Sequence, residues 1–332
     1  MTDRIHYIDF LKFIGLTGII IAHVGSPSWA LMMRGFDVPF MVILSAILAE
    51  RSYRKFEKDS LSAIDYSFSR IKRLVLPTWI FLIVYFVLLF IVEGELRGAG
   101  YYIASFCLTR YGIGYVWIIL IYLYSALLIP LFSKLKLSIK GLIAVIVVYS
   151  LYEIAYYFKI GIDNKFIDTT VYYIIPYGVL TYLGYNCCQM RKKTRYLIII
   201  TSLLVFIALF VYYWIVSGSP QLVEIAKYPP RLYYLSYGIA CSFGLITLCE
   251  KRNLKIFENS IIRYISMHSM WIYLWHILVL YADKYKVLRL PKVWYIKLFI
   301  VYGIAIMIVF VVNKCLDIIE REQRGFFKYL RG

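Results

Sequence analysis

The 332-residue chain is 62% hydrophobic and only 17% charged, against about 25% charged residues in an ordinary soluble domain. With a mean hydropathy of +0.72, too little polar surface remains to cover a folded core, which excludes a water-soluble, secreted or disordered chain. The formal charge of +18 would suit a nucleic-acid partner, but the Lys and Arg residues fall in short connectors between apolar runs, so membrane topology accounts for it and no nucleic acid is expected. Apolar runs of about 20 residues, enough to cross about 30 Å of hydrocarbon, predict ten helices. In chain order these cover 5–24, 36–52, 74–93, 113–133, 141–159, 170–189, 196–216, 231–250, 261–282 and 294–316.

The pattern implies an all-α integral membrane protein, a bundle of about ten transmembrane helices forming a single membrane domain over 1–332. The first run carries Asp9, Lys12 and His23 and lacks a small-residue cleavage pattern, so it reads as a retained helix rather than a signal peptide. With the N-terminus inside, inner segments hold 24 basic residues and outer loops 12, which places both termini in the cytoplasm. The outer loop 283–293, with Lys284, Lys286, Arg289 and Lys292, breaks that rule and could meet an anionic partner. The six cysteines lie in or beside apolar runs or stand alone, without metal or redox spacing. They read as small apolar residues, and no metal is expected.

Ionisable groups inside a bilayer cost several kcal/mol unless paired or hydrated, so each is a functional candidate. On an ideal helix Lys12 and His23 fall within about 20° of one another and Asp9 within about 60° of both, one stripe on the first helix. Asp9 and Lys12 could equally be an ion pair that fixes packing. His23, at the outer end, could act as a general base. Arg70 and Arg73, one turn apart where the third helix opens, can reach a single phosphorylated ligand, or anionic lipid. In the ninth run Tyr273 and His276 share a face and could bond a neighbouring helix or line a cavity. Tyrosine doublets at 101/102, 156/157, 172/173, 212/213 and 233/234 fit either an interfacial belt or a stacking surface for a sugar.

Five segments, in order, resemble the acyltransferase 3 family of integral-membrane enzymes that O-acylate surface polysaccharides. Tyr7-Ile8-Asp9-Phe10-Leu11-Lys12 with Ala22-His23-Val24 is similar to the opening pattern, a basic residue eleven positions before histidine. Phe36-Asp37-Val38-Pro39-Phe40 leading to Ser45 resembles the second-helix pattern, and Arg70-Ile71-Lys72-Arg73 with Pro77 an Arg-x-x-Arg segment. Weaker matches run from Tyr115-Val116-Trp117 through Tyr122 to Pro130, and from His268 to His276. Departures are Ala46 in place of a usual glycine, Asp37 in place of histidine or arginine, and Lys12 in place of arginine.

The resemblance implies a multi-pass protein of the bacterial plasma membrane, an acetyl-CoA-dependent O-acetyltransferase acting on a surface polysaccharide or lipid-linked glycan in the cell envelope. It implies catalytic roles for His23, Lys12 and Asp9, with His23 as general base or acyl-accepting nucleophile. Arg70 and Arg73 would bind acetyl-CoA, and Trp117, Tyr273 and His276 would face substrate or cavity. Expected partners are membrane lipid and the glycan acceptor, with a homo-oligomer or glycan-assembly enzymes as further associates. The competing reading is a transporter or flippase in which Asp9, Lys12, Glu153 and His276 form an ion relay.

Overall fold

A computed structural model describes residues 6–320 except 60, 136, 251 and 253. The chain ends counted in the orientation argument, 1–5 and 321–332, lie outside the described residues. The described residues form fourteen α-helices and no named strand. These are α1 (His6–Ile21), α2 (Ser28–Arg34), α3 (Asp37–Lys58), α4 (Ala63–Glu93), α5 (Ala99–Phe106), α6 (Trp117–Lys134) and α7 (Ile139–Tyr157), then α8 (Lys165–Thr169), α9 (Val171–Asn186), α10 (Lys192–Ser217), α11 (Leu232–Glu250), α12 (Ser260–Met267), α13 (Ser269–Lys284) and α14 (Trp294–Glu320).

Nine of the ten predicted runs become one main helix each and the run 261–282 becomes two, and not every run is a full span. Seven stretches among the described residues are long and apolar enough to cross a membrane: Ser28–Lys58, Ala63–Glu93, Trp117–Lys134, Lys140–Tyr157, Lys192–Ser217, Leu232–Glu250 and Trp294–Ile318. An eighth is a pair, α12 and α13, bent by 79° at their junction. Helix α9, at 16 residues, rises only about 24 Å, short of the hydrocarbon thickness, and α1 is described over 16 residues from His6. This is a multi-pass, all-α membrane protein.

Local chemistry sets the ends that matter. Helix α4 starts eleven residues before the predicted run because Ser62 and Asp65 form a capping box: the Ser62 amide and hydroxyl donate to Asp65 at 2.9 and 2.7 Å, and the Asp65 amide donates to Ser62 at 3.1 Å. Arg70 and Arg73 therefore lie about two and three turns inside α4, not at its opening. Helix α1 stops before Gly25, whose φ of +78° is left-handed, and Ser26 Oγ donates to the Ile21 carbonyl at 2.7 Å.

The described residues divide into two compact units, each drawn from separated segments: residues 6–34, 71–119 and 254–320 in one, 35–70 and 120–252 in the other. In the first, α1 packs on α12 and α13, and α13 on α14. In the second, α3 packs on α9 and α11, and α10 on α11. Close approach there depends on glycine. A Cβ at Gly184 of α9 would meet the Ile43 carbonyl oxygen at 2.6 Å and the Ala46 Cβ at 2.8 Å, and one at Gly238 of α11 would meet Pro39 at 2.5 Å. Small residues at such crossings are how membrane helices gain packing without a hydrophobic drive.

The tyrosine doublets resolve into different settings. Tyr172, Tyr173, Tyr233 and Tyr234 are buried within the second unit, so they are core side chains and not an interfacial belt, whereas Tyr157 and Tyr212 are exposed.

Candidate functional site

The polar stripe of α1 faces the bent pair α12–α13. Asp9, buried, accepts a hydrogen bond from Ser266 Oγ at 2.6 Å. Lys12 Nζ donates to the backbone carbonyl of the same Ser266. Ser266 is the penultimate residue of α12, where the last carbonyls lose their helical partners, so one lysine and one aspartate fasten the end of α12 to α1. His268 follows, outside helical conformation at φ −100° and ψ 17°, and its Nδ1 lies 3.3 Å from Asn313 Nδ2 of α14.

His23 sits in the turn after α1, half-buried, with its Nδ1 3.0 Å from Nε2 of His276 on α13. The rings stack with centroids 5.2 Å apart and an interplanar angle of 14°. His276 is fully buried and its Nδ1 bonds the Tyr273 carbonyl. A carbonyl only accepts, so His276 carries its proton on Nδ1, and in the neutral ring its Nε2 is an acceptor. His23 must then donate from Nδ1, which leaves the lone pair of His23 on Nε2. Two hydrogen bonds thus fix the tautomer of an imidazole whose basic nitrogen is Nε2.

Tyr115 closes this arrangement. Its ring meets His23 edge to face, with centroids 4.8 Å apart and an angle of 83°. Burial raises its phenol above the ordinary tyrosine range, so it stays protonated around neutral pH. The Tyr273 hydroxyl donates to the Tyr115 carbonyl at 2.6 Å. Tyr273 and His276 therefore bond neighbouring segments, the first of the two roles their shared face allowed. Trp117, two residues beyond Tyr115, is buried at the start of α6.

Residue spacing flagged Asp9, Lys12, His23, Tyr273 and His276, and the structure brings them onto one set of packed elements. It missed Ser266 and Tyr115. Ser266 lies 257 residues from Asp9, and nothing local distinguishes it from other serines. Tyr115 was visible only inside the weak fourth-helix motif.

The arginines of α4 are placed differently. The Arg70 guanidinium bonds Ser52 Oγ and lies 4.8 Å over the Tyr66 ring, a cation–π arrangement, while Arg73 is exposed. Among residues invoked for an ion relay, Glu153 is committed in the second unit: Arg231 Nε donates to it at 2.6 Å, Tyr149 Oη at 2.7 Å and the Leu232 amide at 2.9 Å. Asp37 is buried at the start of α3, where its Oδ1 accepts from the Val38 amide at 2.6 Å.

The family model described as an acyltransferase domain, acyltransferase 3, matches residues 5–312. No curated protein and no solved structure gives a significant match.

Proposed function

Because the chain belongs to the acyltransferase 3 family and is a membrane acyltransferase, we propose that it moves an acetyl group from acetyl-CoA to a hydroxyl of a surface polysaccharide or lipid-linked glycan. The observation that carries this reading is the His23–His276 pair, in which the imidazole of the opening motif donates from Nδ1 and so carries its basic lone pair on Nε2. In the proposed step Nε2 takes the proton of the acceptor hydroxyl as its oxygen attacks the thioester carbonyl. The carbon–sulfur bond then breaks, the thiolate of CoA recovers the proton from the imidazolium, and an ester and free CoA leave. Lys12 and Asp9 act through Ser266, holding α12 and the bend that sets His276 against His23. Arg70 and Arg73, one turn apart on α4, supply charge-assisted hydrogen bonds to the donor's phosphates. The setting is the bacterial plasma membrane, in the cell envelope.

The test uses the full chain in lipid nanodiscs with labelled acetyl-CoA. His23→Ala is expected to abolish transfer while leaving acetyl-CoA affinity intact, and the double change Arg70→Ala and Arg73→Ala to weaken that affinity at least tenfold. Substantial transfer by the His23→Ala protein would remove His23 from the chemistry.

A further inference from the structure

The loop after α13 presents charge that neither folding nor topology uses. Lys284, Lys286, Arg289 and Lys292 are all exposed, and among the described residues Lys286, Arg289 and Lys292 make no side-chain hydrogen bond or ion pair. The nearby carboxylates are already matched. Asp283 accepts from Lys297 Nζ at 2.6 Å and from the Leu290 amide at 2.9 Å. Glu93 accepts from Arg97 Nε at 2.9 Å and also from Tyr285 Oη. The backbone of this loop is built: the Lys286 amide donates to Asp283 O and the Leu288 amide to Ala282 O, each at 3.0 Å, with Lys286 left-handed at φ 60°. Four cations are thus held out on a fixed turn. In the orientation the charge count favours they face away from the cytoplasm, where topology gives no reason for them.

A second observation joins this loop to the imidazole. From His23 the Tyr115 ring is 4.8 Å away, Tyr281 is 6.0 Å from Tyr115, and Tyr285 stacks on Tyr281 at 6.2 Å and 18°. Lys284 Nζ lies 5.4 and 5.7 Å from the last two rings. Aromatic faces stack on sugar rings, and ammonium and guanidinium groups bind phosphate or carboxylate. His276 and Lys284 are eight residues apart on α13, about 12 Å of helix, the reach of a short oligosaccharide.

We propose that residues 284–292 dock an anionic acceptor glycan, one bearing phosphate or carboxylate groups, and that Tyr285, Tyr281 and Tyr115 line its approach to His23. This rests on the transferase reading above and names the acceptor's chemical class. The test measures binding, which needs no transfer. The full chain in neutral-lipid nanodiscs is titrated with a fluorescent poly(glycerol phosphate) oligomer and with neutral dextran of equal length. The wild type is expected to prefer the anionic probe, with affinity falling as salt rises. The triple variant Lys286→Gln, Arg289→Gln and Lys292→Gln is expected to bind it about tenfold more weakly, as three exposed charge contacts allow. Exchanging Lys286 and Lys292 for Arg is expected to preserve binding, which separates lost charge from misfolding. Equal affinity of wild type and triple variant for the anionic probe overturns the proposal. So does charge-dependent association seen only with phosphatidylglycerol vesicles, which would make the partner lipid. A loop-dependent affinity in a protein that transfers no acetyl group would support the docking site and remove the transferase reading instead.

Discussion

His276 is the residue whose role depends most on hydrogen-bond direction. It accepts from His23 on one nitrogen and donates to the Tyr273 carbonyl from the other, so in the proposed mechanism it is a positioning residue that selects which His23 nitrogen is basic. Partners that hold an imidazole in this way commonly contribute tenfold to a hundredfold, as known from the residues behind metal-bound histidines. His276→Leu, of similar volume, is expected to lower kcat by about 10- to 100-fold with little change in KM. His276→Gln keeps an acceptor for His23 and a donor for the carbonyl, and is expected to recover part of that loss. Steady-state kinetics of both variants checks the argument: equal activities would mean that His276 only fills space. The pair was half legible in the sequence. The i, i+3 spacing of Tyr273 and His276 pointed to a shared face, but the carbonyl of Tyr273, not its hydroxyl, meets His276. His23 as the other partner is 253 residues away, beyond any helical periodicity.

At the scale of elements, departures from simple apolar runs locate the structure's specific features. The bend between α12 and α13 has no Pro or Gly at its break, the usual cause of a sharp kink, and instead coincides with Lys12 and Asp9 bound at Ser266. A hydropathy reading sees one span there, because the polar atoms that stop α12 belong to a distant helix. The missed first turns of α4 were legible as a Ser-x-x-Asp capping box, masked by the charges that follow it. Ala46, the departure from the family's glycine, finds its reason in the second unit, where Gly184 of α9 supplies the small surface opposite it. Even one methyl at Gly184 would drive into backbone, so Gly184→Ala is expected to destabilise by about 1–3 kcal/mol. Gly178→Ala on the same helix meets only the flexible end of Leu128 at 3.3 Å and is expected to cost much less. Thermal unfolding in lipid nanodiscs compares the two, and equal shifts would show that the α3–α9 crossing tolerates expansion.

For the whole molecule, the composition that excluded a soluble protein reappears as surface. Helix α10 is 26 residues long, about 39 Å, and none of its most apolar window is buried by the rest of the chain. It is held at one end, where Arg195 donates to the Cys187 carbonyl at 2.7 Å and pairs with Glu250, and along one face by α11. Every other apolar side chain on it needs lipid. Leu204, near the middle of the helix, is 62% exposed. On a soluble protein an exposed Leu→Arg change is usually within about 0.5 kcal/mol of neutral, whereas arginine at the centre of a lipid-facing helix costs about 2.5–3.5 kcal/mol on insertion scales. Leu204→Arg is therefore expected to lower the membrane-integrated fraction clearly, with Leu204→Ala close to wild type. Moving the same arginine to Ile215, 76% exposed and nearer the helix end, should soften the loss, because a side chain there can reach the interface. The amount of protein resisting alkaline extraction from membranes measures all three, and an arginine tolerated equally at 204 and 215 would mean that α10 does not face hydrocarbon.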